Sequence, residues 1–273
     1  MKQMIKFTII TVCFQAAAVI EKTIRSVLEQ TYANIEYILV DGASTDGTLE
    51  IIKKYAQTDS RVRFISEPDK GIYDAMNKGI DMATGDYINM MNAGDYLKGR
   101  KTLEKLNAFI ETHTGDIFYG NIIYDYPDNT NSTRVYSKFC GTKFYYLLGD
   151  CINHQSIFAR KECFSHDNFD LSYKISADRD WMIRMHKAGK KYVPTGITIC
   201  HYSLDEASAS VEHESLAWDE NRAQIKKYFK AGYPVYWTLD KIRHGKVSSK
   251  ILHKAYEIVF LRKKDEDRNK GNT

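Results

Sequence analysis

Glu36-Tyr37-Ile38-Leu39-Val40-Asp41-Gly42-Ala43-Ser44-Thr45-Asp46-Gly47-Thr48 runs from an apolar, β-prone stretch into a polar stop. Glu36 to Val40 predicts a buried strand ended by Asp41-Gly42, and Leu49, Ile52 and Tyr55 mark a helix beginning near Asp46. The same alternation surrounds this stretch. Phe7 to Val12 is a β-branched run, and Ile20, Ile24, Val27 and Leu28 follow at helical spacing. Val62 to Ile65 is a third strand, Ile72 to Ala83 a helix, and Asp86 to Met91 a fourth strand. Such alternation predicts an α/β fold, a parallel sheet with helices on both faces. Ligands of these sheets bind beyond the carboxyl ends of the strands. The segments to inspect are therefore Thr11 to Gln15, Asp41 to Asp46, Glu67 to Gly71 and Asn92 to Asp95, all polar, small or acidic.

The second half is less regular. Ile117 to Tyr124 predicts a strand, Pro127-Asp128-Asn129 a turn, and Arg134 to Tyr136 the return strand. Ser156 to Ala159 is another short strand, and Ala177 to Ala188 is helical in pattern. Tyr192-Val193 and Ile197 to Cys200 form two strand pieces leading to His201, and a helix is expected from about Glu212 to Phe229. From Lys226 to Lys264 eleven Lys and Arg face only two acids, Asp240 and Glu257. Within that span Ile251, Leu252, Ala255, Ile258 and Val259 recur at helical spacing. An amphipathic basic helix of this kind suits the surface of an anionic membrane, or packs on the main domain with a solvated basic face.

Composition narrows the class. The chain has 273 residues, 43% hydrophobic and 27% charged, as in an ordinary globular protein. The net charge is only +4, where a chain that lives on nucleic acid usually shows a larger or more clustered excess; no nucleic-acid partner is expected, though the average alone excludes little. Five cysteines without a CxxC read as reduced, intracellular thiols and place the chain in the cytoplasm. The longest apolar stretch, Phe7 to Ile20, is shorter than the about 20 residues that span a bilayer. No GxGxxG follows the first strand and no GxxxxGK[ST] occurs, which removes the dinucleotide fingerprint and the P-loop.

Four constellations carry candidate chemistry. In Val40 to Gly47, Asp41 at a strand end can accept from a nucleobase imide or ribose hydroxyls, while Asp46 suits a helix cap. In Glu67 to Gly79, Asp74 and Asn77 are three apart and share a helix face, and small residues allow close backbone approach. In Met91 to Asp95, an acid after the fourth strand can hold a divalent metal, Mn²⁺ or Mg²⁺, on diphosphate oxygens; the sequence also suits a tight turn. In Ile175 to Trp181, Asp178 or Asp180 opens a helix, a favoured place for an acid, and one of them can serve as general base.

The order and spacing of VDGASTDGT (40–48), GIYDAMNKG (71–79), ATGDYINMMNAGD (83–95) and SADRDW (176–181) resemble an inverting family 2 glycosyltransferase. The resemblance covers about residues 5–205 and is to enzymes of bacterial surface polysaccharide, colanic-acid-type ones included. It implies a GT-A fold: a Rossmann-like, mixed, mostly parallel sheet flanked by helices, here with a helical basic C-terminal extension. The expected division is a catalytic domain over 1–205 and the extension over 206–273. It implies that Thr11 and Asp41 line the base and ribose of a nucleotide-sugar donor, a UDP-sugar first among them. Asp74, Asn77 and Asn92 join the donor side. Asp95 is the metal carboxylate, His201 an extra metal ligand, and Asp178 the catalytic base. His154 and Gln155 are placed toward the acceptor, a lipid-linked or other oligosaccharide.

The chain departs from the family pattern in its metal motif, where Asn92 and Gly94 stand at positions often acidic. The processive QxxRW is absent, which favours transfer of a single sugar. The resulting expectation is a cytoplasmic enzyme resting on the inner face of the plasma membrane; a homo-oligomer is compatible with it. The competing readings are a non-catalytic nucleotide-sugar-binding relative and, less supported, a Rossmann-type oxidoreductase or nucleotidyltransferase.

Overall fold

The computed structural model describes residues 4–164, 168–204 and 214–243. The chain begins with β1 (Phe7–Cys13), α1 (Ile20–Leu28), β2 (Ile35–Asp41), α2 (Thr48–Thr58), β3 (Val62–Ser66), α3 (Ile72–Met82) and β4 (Tyr87–Met90). Every residue of β1, β2 and β4 is buried, as expected of parallel strands covered on both faces. The alternation read from the sequence is the observed one to within a residue or two, except that α2 starts at Thr48. Asp46 lies just outside that helix, where its carboxylate accepts the Thr48 and Ala17 N–H groups.

The sheet order is β3-β2-β1-β4, with all four strands parallel, continued in order by the strands at residues 157–160, 117–125, 192–203 and 96–97. The added strands are β5 (Tyr96–Leu97), β6 (Ile117–Asp125), β8 (Ile157–Arg160) and β9 (Tyr192–Ser203). The hairpin strand β7 (Asn131–Arg134) pairs with β6. β8 runs antiparallel to both β4 and β6, whereas β6 and β9 are parallel, so the sheet is mixed. The remaining helices are α4 (Thr102–Ile110), α5 (Lys143–Leu147), α6 (Ala177–Lys187), α7 (Glu214–Tyr228) and α8 (Tyr233–Arg243).

Three expectations are corrected. The return strand after the 127–129 turn is Asn131–Arg134, earlier than Arg134 to Tyr136, and the Tyr136 ring is buried instead. The two strand pieces before His201 are one strand, β9, with a register shift opposite Gly120, so His201 lies within the strand. The small residues of α3 serve the sheet: at Gly79 a Cβ would collide with Ile10 of β1 and crowd Val40 of β2. The absent side chain lets α3 approach those strands closely.

α7 is bonded to the segment that leads into α6. Glu220 accepts the N–H groups of Lys174, Ile175 and Ser176, and the Gln224 amide donates to the Ser176 carbonyl. The expected boundary at 205/206 and the basic helical pattern over 251–259 lie outside the described residues. No helix among those residues is long and apolar enough to cross a membrane. All five cysteines are free, four of them buried and Cys151 partly so.

Candidate active site

Register brings the ends of three strands level. Cys13 pairs with Asp41, and Asp41 with Ser66. The loops that follow are tied together: Gln15 N–H donates to Ser44 Oγ, and Thr45 N–H donates to Gln15 Oε1. Gln15 and Ala43 adopt φ of 49° and 62° to make these turns. Left-handed non-glycine residues cost energy and cluster at functional sites.

Thr11 and Asp41, expected to touch the donor, have no exposed surface. Thr11 Oγ1 meets the Tyr37 hydroxyl at 3.0 Å. The Asp41 carboxylate accepts from Ser66 Oγ at 2.6 Å and Ser44 N–H at 3.1 Å. Both shape the loops from behind. The rim is Phe14, 65% exposed, beside Asp69. A Cβ on Gly42 would lie 2.7 Å from Asp69 Oδ2 and 3.2 Å from the Phe14 ring, so the three converge. Sequence reading flagged both of these loops but neither Phe14 nor Asp69; exposure is what singles out Phe14.

Asp74 and Asn77, expected on the donor side, have partners within the chain. Asp74 accepts the Lys70 N–H and lies 3.8 Å from Lys78, a local closure of the α3 N-terminus. Asn77 donates to the Phe169 carbonyl and accepts the Phe169 N–H. Its amide is consumed in holding the segment that leads toward Asp178.

Of the two acids that open α6, the structure separates the roles. Asp180 is fully buried, with Arg184 Nε at 2.7 Å and the Tyr228 hydroxyl at 2.8 Å. Asp178 keeps 14% of its side chain exposed. Its Oδ1 accepts from the Tyr73 hydroxyl and the Arg179 N–H, and its Oδ2 lies 3.1 Å from His154 Nδ1. Burial, then the charge of Asp178, push Tyr73 well above the usual tyrosine range, so it stays a hydrogen-bond donor. Behind Asp178 and His154 stand Ile88, Met90, Phe169 and Trp181, around a gap of about 10 Å³. That is no more than the least volume a water needs, and the lining is mostly apolar, so the rear of the carboxylate is poorly suited to hold water.

The turn His154–Ser156 joins this acid to the loop after β4. His154 Nδ1–H donates to Asp178 while its Nε2 accepts from Asn92 Nδ2, which fixes the proton on Nδ1. Gln155 Nε2 donates to Asp95 Oδ2 at 2.8 Å. Gln155 is 0% exposed and so does not line an acceptor groove; it positions Asp95. Asn89 of β4 fastens the turn by donating to the carbonyls of Gln155 and Ile157. Asn92 Oδ1 is buried without a partner, an acceptor left open beside the turn.

Asp95 is buried, and its Oδ1 also accepts the Ser203 N–H. His201, two residues back along β9, stacks on Tyr96 at 4.5 Å and hydrogen-bonds Asp125 through Nδ1. Burial works to raise Asp125, but hydrogen bonds from Tyr96 and His201 outweigh it and hold the carboxyl below its usual range. With Nδ1–H on a carboxylate, Nε2 is the nitrogen available to a metal, the usual second-sphere arrangement. Asp95 precedes Tyr96, which pairs with His201 across β5 and β9, so one carboxylate and one imidazole lie near that pairing, at most a partial site for Mn²⁺ or Mg²⁺. Among the described residues no three His, Cys, Asp or Glu gather for a metal, so further oxygens must come from the ligand or water. Sequence reading missed Asp125 and Tyr73, whose partners are 76 and 105 residues away.

A mixed sheet with loops converging at its carboxyl edge, an acid at the head of α6 and another after β4 define a sugar-transferring GT-A enzyme. The family model for Glycosyl transferase family 2 matches residues 8–177, and the chain belongs to that family of glycosyltransferases. It is 35% identical over 181 residues to a PGL/p-HBAD biosynthesis glycosyltransferase of Mycobacterium bovis, covering 65% of this chain and 68% of that one. Streptococcus pneumoniae GlyG is 35% identical over 121 residues, 43% of this chain and 40% of the other. The fold is similar to S. aureus TarS 1–349, solved with UDP-GlcNAc, at a TM-score of 0.64 and 18% identity over 82% of this chain and 67% of that one. It is also similar to the mannosyltransferase PcManGT of Pyrobaculum calidifontis, solved with GDP-Man and Mn²⁺, at a TM-score of 0.60 and 17% identity over 94% and 81%.

Proposed function

We propose that this glycosyltransferase moves one sugar from a nucleotide-sugar donor to a lipid-linked glycan, with inversion, during assembly of a surface polysaccharide. The observation that carries the reading is the single turn linking Asp178 through His154, and Asp95 through Gln155. The complexes of TarS with UDP-GlcNAc and of PcManGT with GDP-Man support a nucleotide-sugar donor, and UDP-sugars are the first to test. A relative named as a PGL/p-HBAD biosynthesis glycosyltransferase supports sugar transfer in a biosynthetic reaction.

The mechanism follows from the side chains. Phe14 and Asp69 offer a flat apolar face and an acceptor at the rim for the donor's base. Asp178 removes the proton of the acceptor hydroxyl as that oxygen bonds to the anomeric carbon, and the bond to the diphosphate breaks on the opposite face. Oδ1 is occupied by Tyr73 and Arg179, but Oδ2, held by His154 alone, keeps a second lone pair, so Asp178 can be fixed and basic together. Asp95 and His201 would hold a divalent cation, which when bound supplies charge compensation for the departing diphosphate.

Purified protein should release nucleoside diphosphate only when donor and acceptor are both present. Asp178→Asn should keep donor affinity and lower turnover by about 10²–10⁴-fold, the usual range for a general base. Undiminished transfer by that variant would refute the assignment. The second reading, a non-catalytic donor-binding relative, draws on the thin metal site; donor binding without any turnover would favour it.

A further inference from the structure

A pocket of about 440 Å³ opens where α5, the end of α6 and the α7–α8 connection meet. Lys143, His186, Lys187, Tyr228, Phe229 and Lys230 line it, and no acid does. Among the described residues Lys143, Lys187 and Lys230 have no carboxylate partner. The nearest recorded contact of Lys143 is the Phe229 ring, 6.0 Å away. Lys54 and Lys78 do have carboxylate partners, Glu21 and Glu67, whereas these three share one pocket without any.

Helix capping explains Lys187, which lies in the last turn of α6. It does not explain Lys143, which is the first residue of α5, where the dipole disfavours a cation. Nor does it explain Lys230, beyond the end of α7. The positive potential is felt by His186: burial first, then Lys187 and Lys143, hold it below the usual histidine range.

Exposed aromatic side chains accompany the lysines. Phe144, next to Lys143, is 53% exposed and its ring lies 5.4 Å from that of the exposed Phe139. The connection is seated on α5, since a Cβ on Gly232 would meet the Leu147 side chain. On α8 the exposed Trp237 ring has Lys241 5.1 Å above it. Lysines interleaved with exposed aromatics are the composition of a protein surface at a membrane interface.

We propose that this pocket binds the phosphate of an anionic phospholipid headgroup and seats the protein on the membrane by this face. The inference deepens the proposed function, resting on it for the lipid-linked acceptor but not for the phosphate contact itself.

The test uses the full chain and sucrose-loaded vesicles of phosphatidylcholine, with or without phosphatidylglycerol. Lys143→Glu/Lys187→Glu/Lys230→Glu should bind phosphatidylglycerol vesicles about a hundredfold more weakly than wild type, equivalent to about 1 kcal/mol for each lysine near an anionic surface. A control with Lys53→Glu/Lys101→Glu/Lys105→Glu, all exposed and none lining the pocket, should bind within a few-fold of wild type. Equal loss in both variants, or none in the first, overturns the proposal. So does saturable binding of soluble glycerol phosphate by wild type without any vesicle binding, which would assign the pocket to a free phosphate. Melting temperature and vesicle-free donor turnover of the first variant should match wild type. An inactive wild type would count against the proposed function and leave the vesicle result to stand alone.

Discussion

His154 spends both ring nitrogens on neighbours, one on the candidate base and one on the loop after β4. Its role is therefore one of aim. His154→Ala should leave donor affinity nearly unchanged and lower turnover by about 10²-fold, the cost of roughly an ångström of misplacement. Steady-state kinetics check this, and a loss confined to donor KM would contradict it. Individual residues were also where sequence reading was weakest. Asp95, and Asp178 or Asp180, stand out in the sequence because acids at a strand exit and a helix start follow from chain order; that Asp180 is buried against Arg184 does not. Nor does the burial of Thr11, Asp41 and Gln155, because exposure depends on partners such as Ser66, Tyr37 and Asp95 that spacing does not reveal.

Elements were more legible than contacts. Strands β1 to β4 and the helices between them are long enough to show a period. β5 has two residues and no period to show, and the single strand β9 was read as two pieces because it is irregular opposite Gly120. The junction of the parallel strands depends on Glu36 of β2, which no pattern singles out. It accepts from Thr8 of β1, Arg63 of β3 and the Thr84 N–H that precedes β4. Burial works to raise its pKa, but these hydrogen bonds prevail and hold it below its ordinary 4.5. A carboxyl depressed in the folded state adds stability that is complete above the unfolded value and is lost as pH falls through the folded one. Glu36→Gln should cost about 1–3 kcal/mol at pH 7. The gap between variant and wild type should narrow below pH 4 in urea titrations; a constant gap would count against the argument.

At the scale of the molecule, the donor-side loops and the acid of α6 meet at one edge of the sheet, held there by α7 through Glu220 and Gln224. A ligand that spans this edge should stabilise the whole domain. At a hundredfold excess over Kd the gain is about 2.7 kcal/mol, or about 5–10 °C in Tm for a chain of this size. A thermal-shift series of UDP-, GDP- and dTDP-sugars with Mn²⁺ should find one such donor, and Asp95→Ala should remove the part of the shift that depends on Mn²⁺. No shift with any of them would point to another class of ligand.

The cysteines carry a last consequence. Burial raises the pKa of all five thiols, Cys163 to about 11 and Cys151 to about 12. Since the thiolate is the reactive form, the folded chain is nearly inert to alkylating reagents. The five sites span the sequence from residue 13 to residue 200, on strands, loops and both halves of the sheet. Their labelling rate is therefore a built-in clock for opening. A cooperative fold should show all five becoming reactive together, and staggered reaction would map which part of the domain lets go first.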